Sequence, residues 1–178
     1  DAQVLLTWDP PYGPIPPEFT EDFEGGEIPA DWTVLTNGNG WNVTENGSSA
    51  FWTIPSHTYY AVTNDDGFNG ENTPDNDGND YLLTPSFNMS GATNVILNFA
   101  SYYDGAYGEI ATVEASTDGV NFEVVHTVSA ATEWVMTAVD LSEYGDQQNV
   151  TIAFHGNDNG AWASGWAVDD ILITFSSA

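Results

Sequence analysis

Val95-Ile96-Leu97-Asn98-Phe99-Ala100 is apolar on both faces or nearly so, which suits a strand inside a sheet packed between other layers. Downstream, Ser116-Thr117-Asp118-Gly119-Val120-Asn121-Phe122 carries the Asp-Gly signal of a tight hairpin, so the runs on either side are expected side by side. No stretch sustains apolar residues at i, i+3, i+4 and i+7 for three turns. Gly, Asn, Asp, Ser and Thr clusters instead punctuate short alternating or apolar runs, which predict strands at 19–24, 33–35, 41–44, 59–63, 80–83, 94–103, 110–116, 122–128, 134–140, 150–155 and 166–175. That number of short strands predicts an all-β, two-sheet antiparallel β-sandwich. Ahead of them, 4–8 reads as a brief strand. Five prolines between Pro10 and Pro17 then read as an extended linker, so residues 1–17 are assigned to a linker or preceding module and 18–178 to the main domain.

The composition limits function sharply. A chain of 178 residues would ordinarily hold on the order of 20 Lys and Arg; this one holds none, against 27 Asp and Glu, for a formal net charge of -27. Phosphate backbones and anionic lipid surfaces are repelled by such a field, which argues against nucleic-acid partners and polybasic membrane docking. Only His57, His126, His155 or the amino terminus can answer a carboxylate with positive charge. The remaining acids must be solvated, hydrogen-bonded to backbone donors, or neutralised by bound cations. Cysteine is absent, which removes disulfides, thiolate metal sites and thiol nucleophiles. No apolar run reaches the ~18 residues of a membrane span, and the Asp-Ala-Gln start lacks a signal-peptide pattern, so the chain reads as a piece of a larger protein.

The segment 64–80 packs six carboxylates into seventeen residues. Loops of that length are usually functional or disordered, and one so self-repelling needs a cation to become ordered. It does not fit the spacing of an EF-hand.

Three further blocks bring a family into view. Phe19-Thr20-Glu21-Asp22-Phe23-Glu24-Gly25-Gly26-Glu27-Ile28-Pro29-Ala30-Asp31-Trp32 resembles the opening of a gingipain-type cleaved adhesin domain. Asn79-Asp80-Tyr81-Leu82-Leu83-Thr84-Pro85 resembles a middle strand of that family, and Trp166-Ala167-Val168-Asp169-Asp170-Ile171-Leu172-Ile173 its closing strand. The blocks occur in the family's order and frame residues 19–173. The resemblance implies a jelly-roll sandwich similar to MAM domains and carbohydrate-binding modules, structural Ca2+, secretion or display at the cell surface, and adhesion as part of a multi-domain parent chain. Leu6-Thr7-Trp8-Asp9-Pro10-Pro11 resembles the linker that precedes such domains. Absence of Lys and Arg departs from the gingipain adhesins and puts their particular ligands in question here.

Calcium takes six to eight hard oxygen ligands, which this sequence offers in abundance. Period-two alternation would place Asp22 and Glu24 on one face of the first strand, with Phe19 and Phe23 opposite. On the last strand, Asp169 and Asp170 lie among Trp166, Val168, Ile171 and Ile173, so at least one is expected in a poorly solvated position, where a metal is the cheapest partner. The resemblance maps one calcium site to Glu24, Asp169 and Asp170; Asp65, Asp66 and Asp80, flanking the acidic loop, are further candidate ligands, as is Asp22.

Tyr102-Tyr103-Asp104-Gly105-Ala106-Tyr107 and Asn157-Asp158-Asn159-Gly160-Ala161-Trp162 set aromatic faces beside amides and carboxylates, the chemistry of sugar recognition. Tyr102, Tyr103, Tyr107, Trp162, Asn157 and Asp158 are therefore candidate ligand contacts, with loop packing as the alternative. No catalytic constellation stands out: the histidines lack metalloprotease spacing, no Gly-x-Ser-x-Gly elbow is present, and no Arg or Lys can bind sugar hydroxyls. The expected function is a calcium-stabilised adhesion module binding an extracellular carbohydrate or protein, without enzymatic activity. A structural spacer of a surface layer or filament, and a glycoside hydrolase or its accessory domain, are the alternatives.

Overall fold

The computed structural model describes residues 18–67 and 78–177. The proposed early strand at 4–8, the Pro-rich linker and the centre of the acidic loop lie outside these residues. Eleven strands follow one another: β1 (Glu18–Glu21), β2 (Thr33–Leu35), β3 (Trp41–Thr44), β4 (Tyr60–Asn64), β5 (Asn79–Leu83), β6 (Ala92–Tyr102), β7 (Ile110–Ser116), β8 (Glu123–Thr127), β9 (Val135–Asp140), β10 (Thr151–Asn157) and β11 (Gly165–Ser177). They form two antiparallel sheets. One runs β3-β4-β11-β6-β9, with β1 added on β11, and the other runs β2-β5-β10-β7-β8. This is the all-β jelly-roll sandwich expected from the strand pattern and the resemblance. No helix among the described residues is long and apolar enough to cross a membrane.

The core lies between the sheets because inward positions alternate along each strand. Phe99 of β6 meets Phe154 of β10 edge-on at 5.3 Å and Trp166 of β11 at 6.2 Å, and all three are fully buried. Val95, Leu97, Val113, Ile152 and Val168 complete the same layer. A smaller apolar cluster caps the outer face of the six-stranded sheet, where Trp52 and Ile54 cover Tyr60, Val62, Tyr102 and Ala167. The expected hairpin is present: β7 and β8 pair antiparallel, and Gly119 takes a φ of 72° in the turn.

Two departures from strict alternation matter for function. The first strand ends at Glu21 rather than running to 24, and Phe23 adopts a φ of 50°. Asp22 and Glu24 therefore lie in the turn beyond β1, exposed, and not on one face of a strand. This turn drops Phe23 into the core, where its ring meets Trp32 at 5.6 Å.

The second departure is a bulge in β11. Its register against β6 shifts between Asp169 and Leu172, and Asp170 has a φ of 48°. One extra residue changes the parity of the strand. Trp166 and Val168 face the core before the bulge, and Ile171 and Ile173 face it afterwards.

Candidate functional site

The bulge coincides with a change of partner. Along one edge of β11, β4 pairs with Gly165 to Val168 and β1 pairs with Ile171 to Thr174. Asp169 and Asp170 fall in the seam where these two strands meet end to end. The chain leaving β1 carries Asp22 and Glu24 to this seam, and the chain entering β4 carries His57.

Asp169 is buried at 1% exposure, and its Oδ1 has no hydrogen-bond partner. Its Oδ2 lies 2.8 Å from Nε2 of His57, an ion-pair distance, yet Nε2 makes no hydrogen bond there. The imidazole is held from the other side by stacking on Trp134 at 4.1 Å. Burial pushes the Asp169 carboxyl up to about 7; the Asp170 amide opposes this, and the charges of Asp170, Glu24 and Asp22 reinforce it. His57, Asp169 and Asp170 offer ligand atoms that all lie within 4.8 Å of one another. The turn after β1 thus brings Glu24 and Asp22 within electrostatic reach of Asp169, while the ligand atoms that converge are those of His57, Asp169 and Asp170. No spacing in the sequence marks this histidine, which lies more than a hundred residues from the Asp pair.

A second acidic cluster forms where the described ends of the acidic loop return to the sheets. Asp65, Asp80, Glu109 and Asp158 line a small cavity of about 10 Å³ together with Thr63, Gly78, Gly156 and Gly165. That is room for about one water-sized occupant. The glycines let backbone approach closely: a Cβ at Gly165 would come within 2.2 Å of the Thr63 carbonyl. Glu109 is driven up to about 8 by burial and then by the charges of Asp65, Asp158 and Asp80, against a hydrogen bond from the Asn157 amide. Asp80 accepts from the hydroxyls of Thr36 and Thr63 and from the Gly40 amide. Asp158 accepts from the amides of Gly78 and Gly160.

Asp66 does not line this cavity. Its Oδ2 accepts from Ser49 at 2.7 Å and its Oδ1 from the Trp162 indole at 2.7 Å, so it ties loops together. Glu109 was not singled out by the sequence because a lone Glu before a strand resembles any solvated acid.

The expected ligand contacts separate in the same way. Tyr102 and Tyr103 are core residues: Tyr102 stacks on Trp52 and donates to the Thr53 carbonyl, and Tyr103 donates to the Glu109 carbonyl. Tyr102 closes β6 and Tyr103 follows it; both are buried and serve packing in this structure. Asp158 is buried in the acidic cavity, and Asn157 is half-buried. Tyr107 and Trp162 do meet at the surface, with ring centroids 4.4 Å apart, and Phe51 packs edge-on against Trp162 at 5.4 Å. Phe51 and Tyr107 are both more than half exposed, at 56% and 59%.

The two-sheet jelly roll thus carries two clusters of acidic residues and an exposed aromatic patch. No protein-family model matches the chain. In sequence it is 29% identical over 146 residues to Lys-gingipain of Porphyromonas gingivalis, and 29% identical over 146 residues to Hemagglutinin A of the same organism, with 76% of this chain covered in each case. It spans only 8% and 6% of those two proteins. In fold it is similar to a cleaved adhesin domain of Lys-gingipain, with a TM-score of 0.64 and 18% identity over 89% of this chain and 98% of that one. The carbohydrate-binding module TmCBM61, solved with beta-1,4-galactotriose, aligns with a TM-score of 0.56 and 15% identity over 87% of this chain and 94% of that one. The chain is thus similar to gingipain-type adhesin domains in both sequence and fold.

Proposed function

We propose that this chain is a calcium-stabilised, non-catalytic adhesion module of a larger secreted or cell-surface protein, and that it binds an extracellular carbohydrate or protein. The observation that carries the metal assignment is the buried, partnerless Oδ1 of Asp169, beside Asp170 and within the field of Glu24 and Asp22, in a sequence without Lys or Arg. A bound cation answers that charge; an apolar interior cannot. Asp169, Asp170, Glu24 and Asp22 would supply the oxygen ligands, and Asp65, Asp80, Glu109 and Asp158 would hold a second ion. The adhesion reading is supported by the likeness to gingipain adhesin domains and to a module solved with a galactotriose. Tyr107 and Trp162, with Phe51 added and Asn157 nearby in sequence to Trp162, form its ligand surface.

Melting in calcium against chelator is the direct test. An ion at a hundredfold its Kd stabilises the folded state by about 2.7 kcal/mol, which for a domain of this size raises Tm by roughly 5–11 °C. A melting temperature indifferent to chelation overturns the metal assignment. His57 offers nitrogen, a ligand that zinc accepts and calcium does not. Repeating the titration with zinc therefore identifies the ion: calcium should give the larger shift. Binding to immobilised glycans and host-surface proteins, weakened in Trp162→Ala, tests the ligand surface.

A further inference from the structure

We infer that the outer face of the five-stranded sheet carries a groove for a neutral saccharide, in addition to the aromatic patch around Trp162. The inference rests on the ligand-binding reading and adds a place and a ligand chemistry to it. Leu35, Tyr81, Glu114, Gly119, Val120 and Phe122 line an open groove of about 440 Å³, within the size range of small-molecule sites. None of them lines the acidic cavity or belongs to the patch of Phe51, Tyr107 and Trp162.

The walls are apolar and aromatic. Leu35 is 49% exposed and Val120 78% exposed, and the rings of Tyr81 and Phe122 lie 6.2 Å apart at 45°. Val120 and Phe122 belong to the β7–β8 hairpin and overhang the sheet. Across the floor, strand pairing sets Leu35, Tyr81, His155 and Thr112 in one row over β2, β5, β10 and β7. Tyr81 stacks on His155 at 3.8 Å and 13°.

The floor is also polar and fixed in place. His155 Nδ1 lies 2.7 Å from Glu114 Oε1 and its Nε2 lies 2.6 Å from Asn79 Oδ1, so the ring is held on both sides. Thr112 donates to the same Glu114 oxygen, and Asn157 to the same Asn79 oxygen. Glu114 and His155 are both nearly buried.

Charge decides among possible occupants. Elsewhere the carboxylates crowd one another, and Asp169 and Glu109 are pushed up. In the groove, burial alone would raise Glu114, but hydrogen bonding and charge from His155, with help from Thr112, bring it down below the usual value. Glu114 is already engaged by His155 and Thr112, so the groove does not call for a cation. Acidic sugars and phosphates are repelled by the net charge of -27. A carboxylate already engaged by His155 and Thr112, beside aromatic rings, fits the hydroxyls and C–H faces of an uncharged sugar.

The test is a protein-observed NMR titration with neutral gluco-, manno- and galacto-oligosaccharides, and with an oligogalacturonate as the acidic comparison. The inference expects shifts in the amides of Gly119 to Phe122 with at least one neutral sugar and none with the oligogalacturonate. Phe122→Ala should weaken that binding about tenfold, and Glu114→Gln also weaken it, while Met136→Ala, an exposed change on β9, leaves it unchanged. If neutral sugars shift only residues around Trp162, the groove is excluded and the binding-module reading survives. Preference for the acidic sugar, or no response to any sugar, overturns the groove; binding to host-surface proteins would still test the module independently.

Discussion

Asp169 concentrates the chemistry of the molecule in one side chain. It is among the most buried acids of the described residues, one of its oxygens is unanswered, and the basic side chain beside it is His57. Replacement by Asn keeps the shape and removes the charge. Without calcium, Asp169→Asn should melt higher than the parent; with calcium, it should lose most of the calcium-induced rise in Tm, as differential scanning calorimetry would show. A variant that kept the full rise would move the ion to the second cluster. At the centre of the core, Phe99 lies against Phe154 and Trp166, so Phe99→Ala should cost about 3–5 kcal/mol in a urea melt.

At the level of elements, the bulge in β11 does two jobs through one inserted residue. It opens the seam between β1 and β4 where the acids converge, and it returns the strand to register so that Ile171 and Ile173 reach the core. Deleting Asp170 should therefore remove part of the ligand set and spare the core. With one residue fewer, plain alternation from Trp166 and Val168 still turns Ile171 and Ile173 inward, and the pairing of Leu172 with Asn98 is kept. The expected outcome is a cooperative melt and dispersed amide signals, with the calcium-induced rise in Tm lost. Asp170→Gly, which accepts the positive φ without strain, should preserve the fold and weaken only ion binding.

For the whole molecule, the proposal makes an unusual pH dependence. An unfolded Asp titrates near 3.8, whereas Asp169 folded titrates at about 7; Glu109 moves from 4.5 to about 8. Between those values the folded state holds protons that the unfolded chain has released, so stability falls as pH rises through the window. Ion-free protein should accordingly gain Tm on acidification from pH 8 to about 5, a window in which ordinary carboxylates stay ionised and only the raised groups take up protons. With saturating calcium the trend should reverse, because protons compete with the ion for the same oxygens. Melting curves across this range, with and without chelator, check both signs.

Much of the sandwich is legible in the sequence because burial between two layers leaves a local imprint. Short apolar runs such as Val95 to Ala100 and the Asp118-Gly119 turn mark strands and a hairpin wherever they are read. The carboxylate excess likewise shows in composition alone that Lys and Arg are not there to pair with buried acids. Which acids gather could not be read locally. His57, Glu109 and Asp158 come together with their partners only through the order of strands along β11 and β10, and Tyr102 becomes core because a loop folds over the outer face of a sheet, while Tyr103 packs between the sheets. Sequence determines the periodicity of each strand, since that depends on neighbours in the chain. The sites were decided by tertiary structure, because Coulombic repulsion and desolvation depend on distances that only the packed sheets define.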